Sequence, residues 1–445
     1  MENRLFSNQT LKRMIFPLFM EQLLLMFVGL ADTYVVSFVG EAAVSGVSLV
    51  NSFNTIFIFL FTALASGGAV VVSQYIGRKR LQEASESISQ LLMISVIFSL
   101  LVSVLILPFS EQILQLIFGK VEPAVMDACL TYLCISVYSY PALAIYNAGA
   151  ALYRSIGKTD TTMIISIITN VINVIGNLIG VFILHAGVAG VAYPSLLSRV
   201  FSALVITILC FKEHEGICYK KAFIFKWNTG LLNKILKIAV PNGLESGIFQ
   251  FVKVALSSVV ALFGTYQIAA NGIAQSIWSI ASLISVAMGP VYITVIGQCI
   301  GSEDVKQAEY YFKKLTLITI GLSVIWNALI FAITPLITQF YAISEETRQL
   351  VIMLVLVHNI FSAFAFPLAD PLGKGLRATG DVIFSTIISL ITTLGVRLVF
   401  SILFGIVLNL GVMGIAYAMC LDWTIRGIIF WIRFKSGTWK KFRLI

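Results

Sequence analysis

Nine ionisable side chains interrupt otherwise apolar stretches of this chain: Glu21, Asp32, Glu245, Asp370 and Asp422, with Arg199, Lys253, Arg397 and Arg426. A charge in an apolar run is costly to bury, so each marks an ion or proton site, a substrate contact or an internal ion pair. Asp32, in Leu30-Ala31-Asp32-Thr33-Tyr34, is the leading candidate for handling H⁺ or Na⁺. A lone carboxylate in low-dielectric surroundings can exchange a proton or a hard cation. The alternative is a structural carboxylate hydrogen-bonded to its neighbours. Asn173 and Asn177 are four residues apart and share a helix face, with Asn170 on the same side. Their carbonyls could join Asp32 around a cation or relay hydrogen bonds to it; the bland reading is interhelical glue.

The other charges read differently. Glu21 and Glu245 each follow a proline, Pro17 and Pro241, by one helical turn, and are expected to be helix-start or gate residues. Asp422 and Arg426 are one turn apart and, with Arg397, are expected to form a structural ion-pair set. Lys253 and Asp370 could face a polar cavity, and Tyr34 or Trp278 could line a pocket for hydrophobic cations. The six cysteines and three histidines are scattered, so no metal site and no cofactor is expected beyond the coupling ion. No nucleophile and base pair stands out, which argues against an enzyme. Gly157-Lys158-Thr159 resembles the end of a phosphate-binding loop, but Leu152 replaces the required glycine.

These residues must be positioned inside a membrane. Only 11% of the chain is charged, and mean hydropathy is +0.95. Soluble domains carry roughly 25% charge. A spanning helix needs about 20 mainly apolar residues, and twelve such runs are present, at 15–38, 44–76, 91–117, 128–152, 161–184, 188–211, 234–262, 267–299, 315–339, 350–376, 383–408 and 412–434. The expected fold is an all-α polytopic membrane protein of twelve transmembrane helices. Pro141, Pro194, Pro290, Pro367 and Pro371 fall inside spans and predict bends, with Pro141 and the Pro367/Pro371 pair the best hinge candidates.

The chain also repeats. Shifted by 224 residues, Pro17 and Glu21 fall on Pro241 and Glu245, Gln74-Tyr75-Ile76-Gly77 on Gln298-Cys299-Ile300-Gly301, and Gly187 to Tyr193 on Gly411 to Tyr417. With a one-residue slip, Arg154 and Gly157 meet Arg377 and Gly380. Six spans per copy is an even number, so both copies enter the membrane in the same sense, giving two parallel-repeat six-helix bundles. The bundles are expected at 1–215 and 216–445, joined by the hydrophilic stretch Lys212 to Trp227. Asp32 has no counterpart in the second copy, where Leu256 stands. Two similar halves with one asymmetric carboxylate suit a transporter that alternates around a central site.

The net charge of +9 is topological. With a cytoplasmic N-terminus, 24 of the 30 Lys and Arg fall on the inner side and only Lys120 and Arg348 on the outer. The expectation is a multi-pass plasma (inner) membrane protein with both termini cytoplasmic, a small-molecule substrate, the lipid bilayer as surroundings, no nucleic-acid partner and a monomeric state.

Over nearly its full length the chain resembles the multidrug and toxic compound extrusion (MATE) family. The resemblance lies in Asp32-Thr33, Gln74 to Gly77, Arg154 to Gly157, Leu376 to Asp381, Pro241 with Glu245, and Gln298 to Gly301. It implies a V-shaped pair of six-helix bundles and export of organic cations or amphiphiles against H⁺ or Na⁺, with Asp32 as the coupling acid. Two departures are visible. Relatives often carry Asn-x-x-x-Asp where this chain has Asn173 to Asn177, which weakens tight Na⁺ binding and leans toward H⁺. Ser195 stands where relatives have threonine, keeping the hydroxyl in the implied ion-coupling set, while Gln250 stands where some members have a span-seven acid. Competing readings are a lipid-linked precursor flippase of the same superfamily and a major-facilitator-type transporter. The second lacks its Asp-Arg signature at Gly77-Arg78-Lys79-Arg80.

Overall fold

The structure is a computed structural model describing residues 4–119, 121–341, 343–442 and 444–445. Lys120, counted above among the outer-loop cations, and Arg443 lie outside the described residues. The chain is helical nearly throughout: α1 (Asn8–Ser37), α2 (Glu41–Gly77), α3 (Leu81–Ile106), α4 (Ser110–Phe118), α5 (Pro123–Tyr138), α6 (Tyr140–Ser155), α7 (Thr159–Leu178), α8 (Ala189–Phe211) and α9 (Lys221–Ile224). Then follow α10 (Thr229–Val260), α11 (Thr265–Ala281), α12 (Leu283–Gly301), α13 (Val305–Gln339), α14 (Glu345–Phe364), α15 (Phe366–Ala369), α16 (Pro371–Ala378), α17 (Val382–Ile391), α18 (Val399–Ile402) and α19 (Gly411–Lys435). Eleven helices are long and apolar enough to cross a membrane, and α5 with α6, bent by 44°, makes a twelfth. The bend falls at Ser139, before Pro141. The span expected at 350–376 is likewise interrupted, at Pro367 and Pro371 between α14, α15 and α16. Pro194 and Pro290 lie within unbroken helices.

The duplication is written into the backbone as well as the sequence. Left-handed φ values at Lys79, His185 and Gly187 return at Glu303, Asn409 and Gly411, each 224 residues on, and Gly40 returns as Gly264. At Gly187 and Gly411, with φ of 59° and 58°, a Cβ would clash with the following carbonyl, which is why glycine sits at both turns. A widened π turn at Ile179–Ile183 has its copy at Leu403–Val407. A second π stretch, Thr392–Leu398, has no partner in the first copy.

By internal contact the chain divides into Lys12–Gly243 and Met1–Leu11 with Leu244–Ile445. The division falls within α10, not at 215/216. The stretch from Lys212 to Trp227 is ordered against α3 instead of hanging free: Gln90 donates to the carbonyls of Phe223 and of Lys226 (2.6 Å) and accepts from the Asn228 amide at 3.0 Å. Ser85 and Ser89, one turn apart on the same polar face, accept from the Cys218 and Lys220 amides. The start of α10 also packs here, with Ile235 and Ala239 so close to Gly67 that a Cβ there would meet backbone at 2.8 Å. The first unit is built on Val47, Val50, Phe61, Leu133, Tyr140 and Val191. The second is built on Val252, Ala274, Leu354, Val355 and Val412, with a smaller cluster around Trp423. Phe6 joins the second unit, its amide donating to Tyr311 Oη at 2.8 Å. Many leucines, isoleucines and phenylalanines are exposed, as a lipid-facing surface requires.

Candidate functional site

In the first unit the expected residues converge. Asn177 Nδ2 donates to Asp32 Oδ1 at 2.6 Å and lies 3.3 Å from Asn173 Oδ1. Asn173 Nδ2 donates to Ser195 Oγ at 3.0 Å. Asp32 comes from α1, the asparagines from α7 and Ser195 from α8, so three spans meet at one carboxylate. Asn173 and Asn177 are buried because their four-residue spacing puts both on the face that α7 turns toward α8. Asn177 Oδ1 is buried and has no hydrogen-bond partner, leaving an oxygen open to a cation or a protonated carboxyl. Arg199, one turn beyond Ser195, donates to Ser139 Oγ at 2.7 Å and lies within electrostatic reach of Asp32. The break between α5 and α6 therefore supplies the seat of a second ionised group beside the first. Sequence reasoning placed Arg199 in a span but did not link it to Asp32; its one-turn offset from Ser195 was the available signal.

Glu21 and Glu245 are occupied by partners within their own units. Glu21 accepts from Arg154 at 2.7 Å and from Thr162 Oγ1 at 3.1 Å. Glu245 is held by Arg377, which also donates to Ser385 Oγ at 3.2 Å. Both partners of each pair recur in the repeat, so the pairing was foreshadowed by Arg154 and Arg377, though nothing local joins them to the glutamates. Paired this way, each glutamate ties the first span of its half to the fourth. Glu21→Gln keeps the shape but leaves Arg154 with a weaker partner; the expected loss is about 1–3 kcal/mol, read as a lower melting temperature in detergent. Replacing both, as Glu21→Leu with Arg154→Met, is expected to recover most of it.

The remaining residues separate. Arg397, Asp422 and Arg426 do assemble: Asp422 lies 2.6 Å from Arg426 and 3.3 Å from Arg397, and Arg426 also donates to Thr392 and Thr393. The Arg397 contact is one of charge, since neither its Nε nor Asp422 Oδ2 has an aligned hydrogen bond. Asp370 pairs with Lys374 at 2.8 Å, a turn of helix away. Trp278 stacks on Trp423 at 5.4 Å with Phe366 edge-on. Tyr34 is 67% exposed and meets only the ring of Phe38. Lys253 is exposed, with no ion pair among the described residues.

A duplicated set of membrane spans, with one asymmetric carboxylate and amide cluster buried among three of them, defines a membrane transporter of the two-bundle kind. The chain belongs to the MatE family, whose model matches residues 17–179 and again 241–403. The second match begins and ends 224 residues after the first, the same offset found in the sequence and in the backbone. The chain is 25% identical to the uncharacterised transporter YisQ of Bacillus subtilis, over 99% of each chain. It is 24% identical to the probable multidrug resistance protein NorM of Thermotoga maritima, over 98% of this chain and 93% of that one. Among solved structures, a MOP superfamily transporter from Pyrococcus furiosus shares the fold, with a TM-score of 0.88 at 20% identity over 98% of this chain and 97% of that one. Membership sets aside the major-facilitator reading, and the relatives' names favour drug export over a lipid-linked precursor flippase.

Proposed function

We propose that this protein is an ion-coupled antiporter that exports organic cations or amphiphilic compounds by alternating access, with H⁺ or Na⁺ exchanged at Asp32. The proposal places it in the plasma membrane with both termini cytoplasmic, on the strength of the positive-inside charge distribution. Multidrug resistance in the names of its relatives supports the substrate class. The observation that carries the coupling role is the three-span junction at Asp32, present in the first unit alone. As a carboxylate, Asp32 accepts from Asn177. Once protonated it becomes a donor as well, and the open Asn177 and Asn173 oxygens are within its neighbourhood to receive that bond. The contact between α1 and α7 therefore has two chemically distinct forms, which is what a coupling step requires. Ser195 fixes Asn173 in either form. Asn177 in place of a second carboxylate favours H⁺ over Na⁺. The helix breaks at Ser139 and at Pro367 and Pro371 supply the bends for the conformational change.

In everted membrane vesicles loaded with ethidium as the probe, a pH gradient is expected to drive uptake by the native protein. Asp32→Asn is expected to lower it to the level of vesicles without the protein. Undiminished gradient-driven uptake by Asp32→Asn would overturn the assignment. Imposing a pure Na⁺ gradient in parallel identifies the coupling ion.

A further inference from the structure

Carrying the Asp32 cluster forward by the repeat offset yields a site of opposite charge. Asp32 becomes Leu256, Asn173 becomes Arg397, Asn177 becomes Ser401, Ser195 becomes Met419 and Arg199 becomes Trp423. The family model aligns the two copies with that same offset through residues 173 and 397, so the correspondence is one of fold position. Arg397 sits in the π stretch Thr392–Leu398, the one π segment that the first copy does not share. Such widened turns are rare and concentrate at functional sites.

Charge pairing in the second unit's spans leaves a surplus. Glu245 is matched by Arg377, Asp370 by Lys374 and Asp422 by Arg426. Lys253 and Arg397 remain. Asp422 already receives its aligned bond from Arg426, and Arg397 keeps two buried donors, Nε and one terminal nitrogen, with no hydrogen-bond partner. Its guanidinium is 5.0 Å from the ring centre of Phe249 and 5.9 Å from that of Trp423, flat apolar walls on which a planar ligand could also rest. Around it, Ser401 Oγ, one turn along, and both ring nitrogens of His358 are buried without partners, as is Trp278 Nε1 on the Trp423 stack. His358 lies within electrostatic reach of Arg397. Lys253 follows Phe249 by one turn of α10. Buried donors and a buried surplus cation are costly unless something negative meets them.

We infer that the second unit binds the anionic head of an aromatic organic acid at Arg397, with Ser401 and His358 completing the hydrogen bonds and the Trp278–Trp423 stack holding the ring. This site is separate from the Asp32 cluster, and the inference does not rest on the coupling reading. A membrane exporter so equipped has one half suited to a cation or proton and the other to a carboxylate.

Purified full-length protein in detergent micelles can be titrated with 4-nitrobenzoate, 4-nitrobenzyl alcohol and 4-nitrobenzylamine, following quenching of tryptophan fluorescence. The acid is expected to quench saturably at concentrations about tenfold lower than the alcohol or amine. Arg397→Gln is expected to abolish that preference, and Trp278→Phe to reduce the quenched signal. Asp32→Asn is expected to leave binding unchanged, so failure here is distinguishable from failure of the coupling assignment. Equal binding of acid and alcohol by the native protein, which needs no variant, would overturn the inference. So would a preference that survives Arg397→Gln. Competition by chloride at concentrations as low as those of the acid would restrict the site to an inorganic anion and overturn the aromatic part.

Discussion

Asp422→Ala is expected to yield little folded protein, and what is recovered should melt well below the native chain. Asp422 is fully buried and answers two guanidinium groups, Arg426 at 2.6 Å and Arg397 at 3.3 Å. Removing one member of a buried ion pair costs about 3–5 kcal/mol, because the partner's charge stays desolvated. Here two partners are stranded in one apolar interior, so the cost lies at or above the top of that range. Total stabilities are themselves only about 5–15 kcal/mol. Arg426 would keep its bonds to Thr392 and Thr393, whereas Arg397 would keep only its ring contacts. Two controls make the test specific. Asp370→Ala breaks a half-exposed pair one turn apart on the same chain segment and should cost at most about 1 kcal/mol. Asp422→Ala combined with Arg426→Met removes one of the stranded charges and should regain part of the loss. Thermal unfolding in detergent, followed by size-exclusion chromatography of heated samples, reads all three. Equal melting of Asp422→Ala and Asp370→Ala would show that the buried carboxylate carries no special burden.

The two halves of this prediction differ in how visible they were in the sequence. Asp422 and Arg426 are four residues apart on one span, a spacing that makes them neighbours on any helix, and Arg397 followed as the remaining intramembrane charge. The Asp32 cluster was legible for the same reason, since Asn173 and Asn177 define a face and Asp32 is the polar residue that could meet it. Pairings across spans were not legible. Glu21 lies 133 residues from Arg154, and in an apolar background helical periodicity says which face is polar but not which helix opposes it. The ordering of the 212–227 stretch on Ser85, Ser89 and Gln90 was hidden likewise: those side chains look like an ordinary polar helix start until the strand of chain they hold is seen. The twelve spans were read at nearly their observed limits because lipid-facing helices must be apolar throughout. The division of the units inside α10 was not, because the early part of that helix is held by close packing against Gly67 and not by any change in composition.

Close packing also sets the second large effect, at Gly190. Here α8 begins against the end of α7, and the backbones themselves touch: a Cβ on Gly190 would stand 2.6 Å from the Gly180 carbonyl oxygen and 2.7 Å from its carbon. Gly180 faces the same contact from the other side, meeting the backbone of Gly190. Neither neighbour is a flexible side-chain tip, so the helices must separate to admit any larger residue. Membrane helices rely on such small-residue contacts because lipid offers no hydrophobic drive to association. Overpacking typically costs about 1–3 kcal/mol, and a leucine that wedges two backbones apart exceeds it. The consequence reaches the coupling cluster. Asn177 lies three residues before Gly180 and Ser195 five after Gly190, and the Asn173–Ser195 hydrogen bond of 3.0 Å spans the same pair of helices. Opening the crossing by even the width of a methyl group breaks that bond and frees the asparagine face from which Asn177 reaches Asp32. Gly190→Leu should therefore lower the melting temperature and abolish gradient-driven uptake together. Gly190→Ala, with the smaller wedge, should lose transport in greater proportion than stability. A Gly190→Leu protein that melts and transports like the native chain would show that the helices can part without cost to the cluster. Gly247, where a Cβ meets nothing within 4 Å, is the matched control, and Gly247→Ala should leave both measurements unchanged.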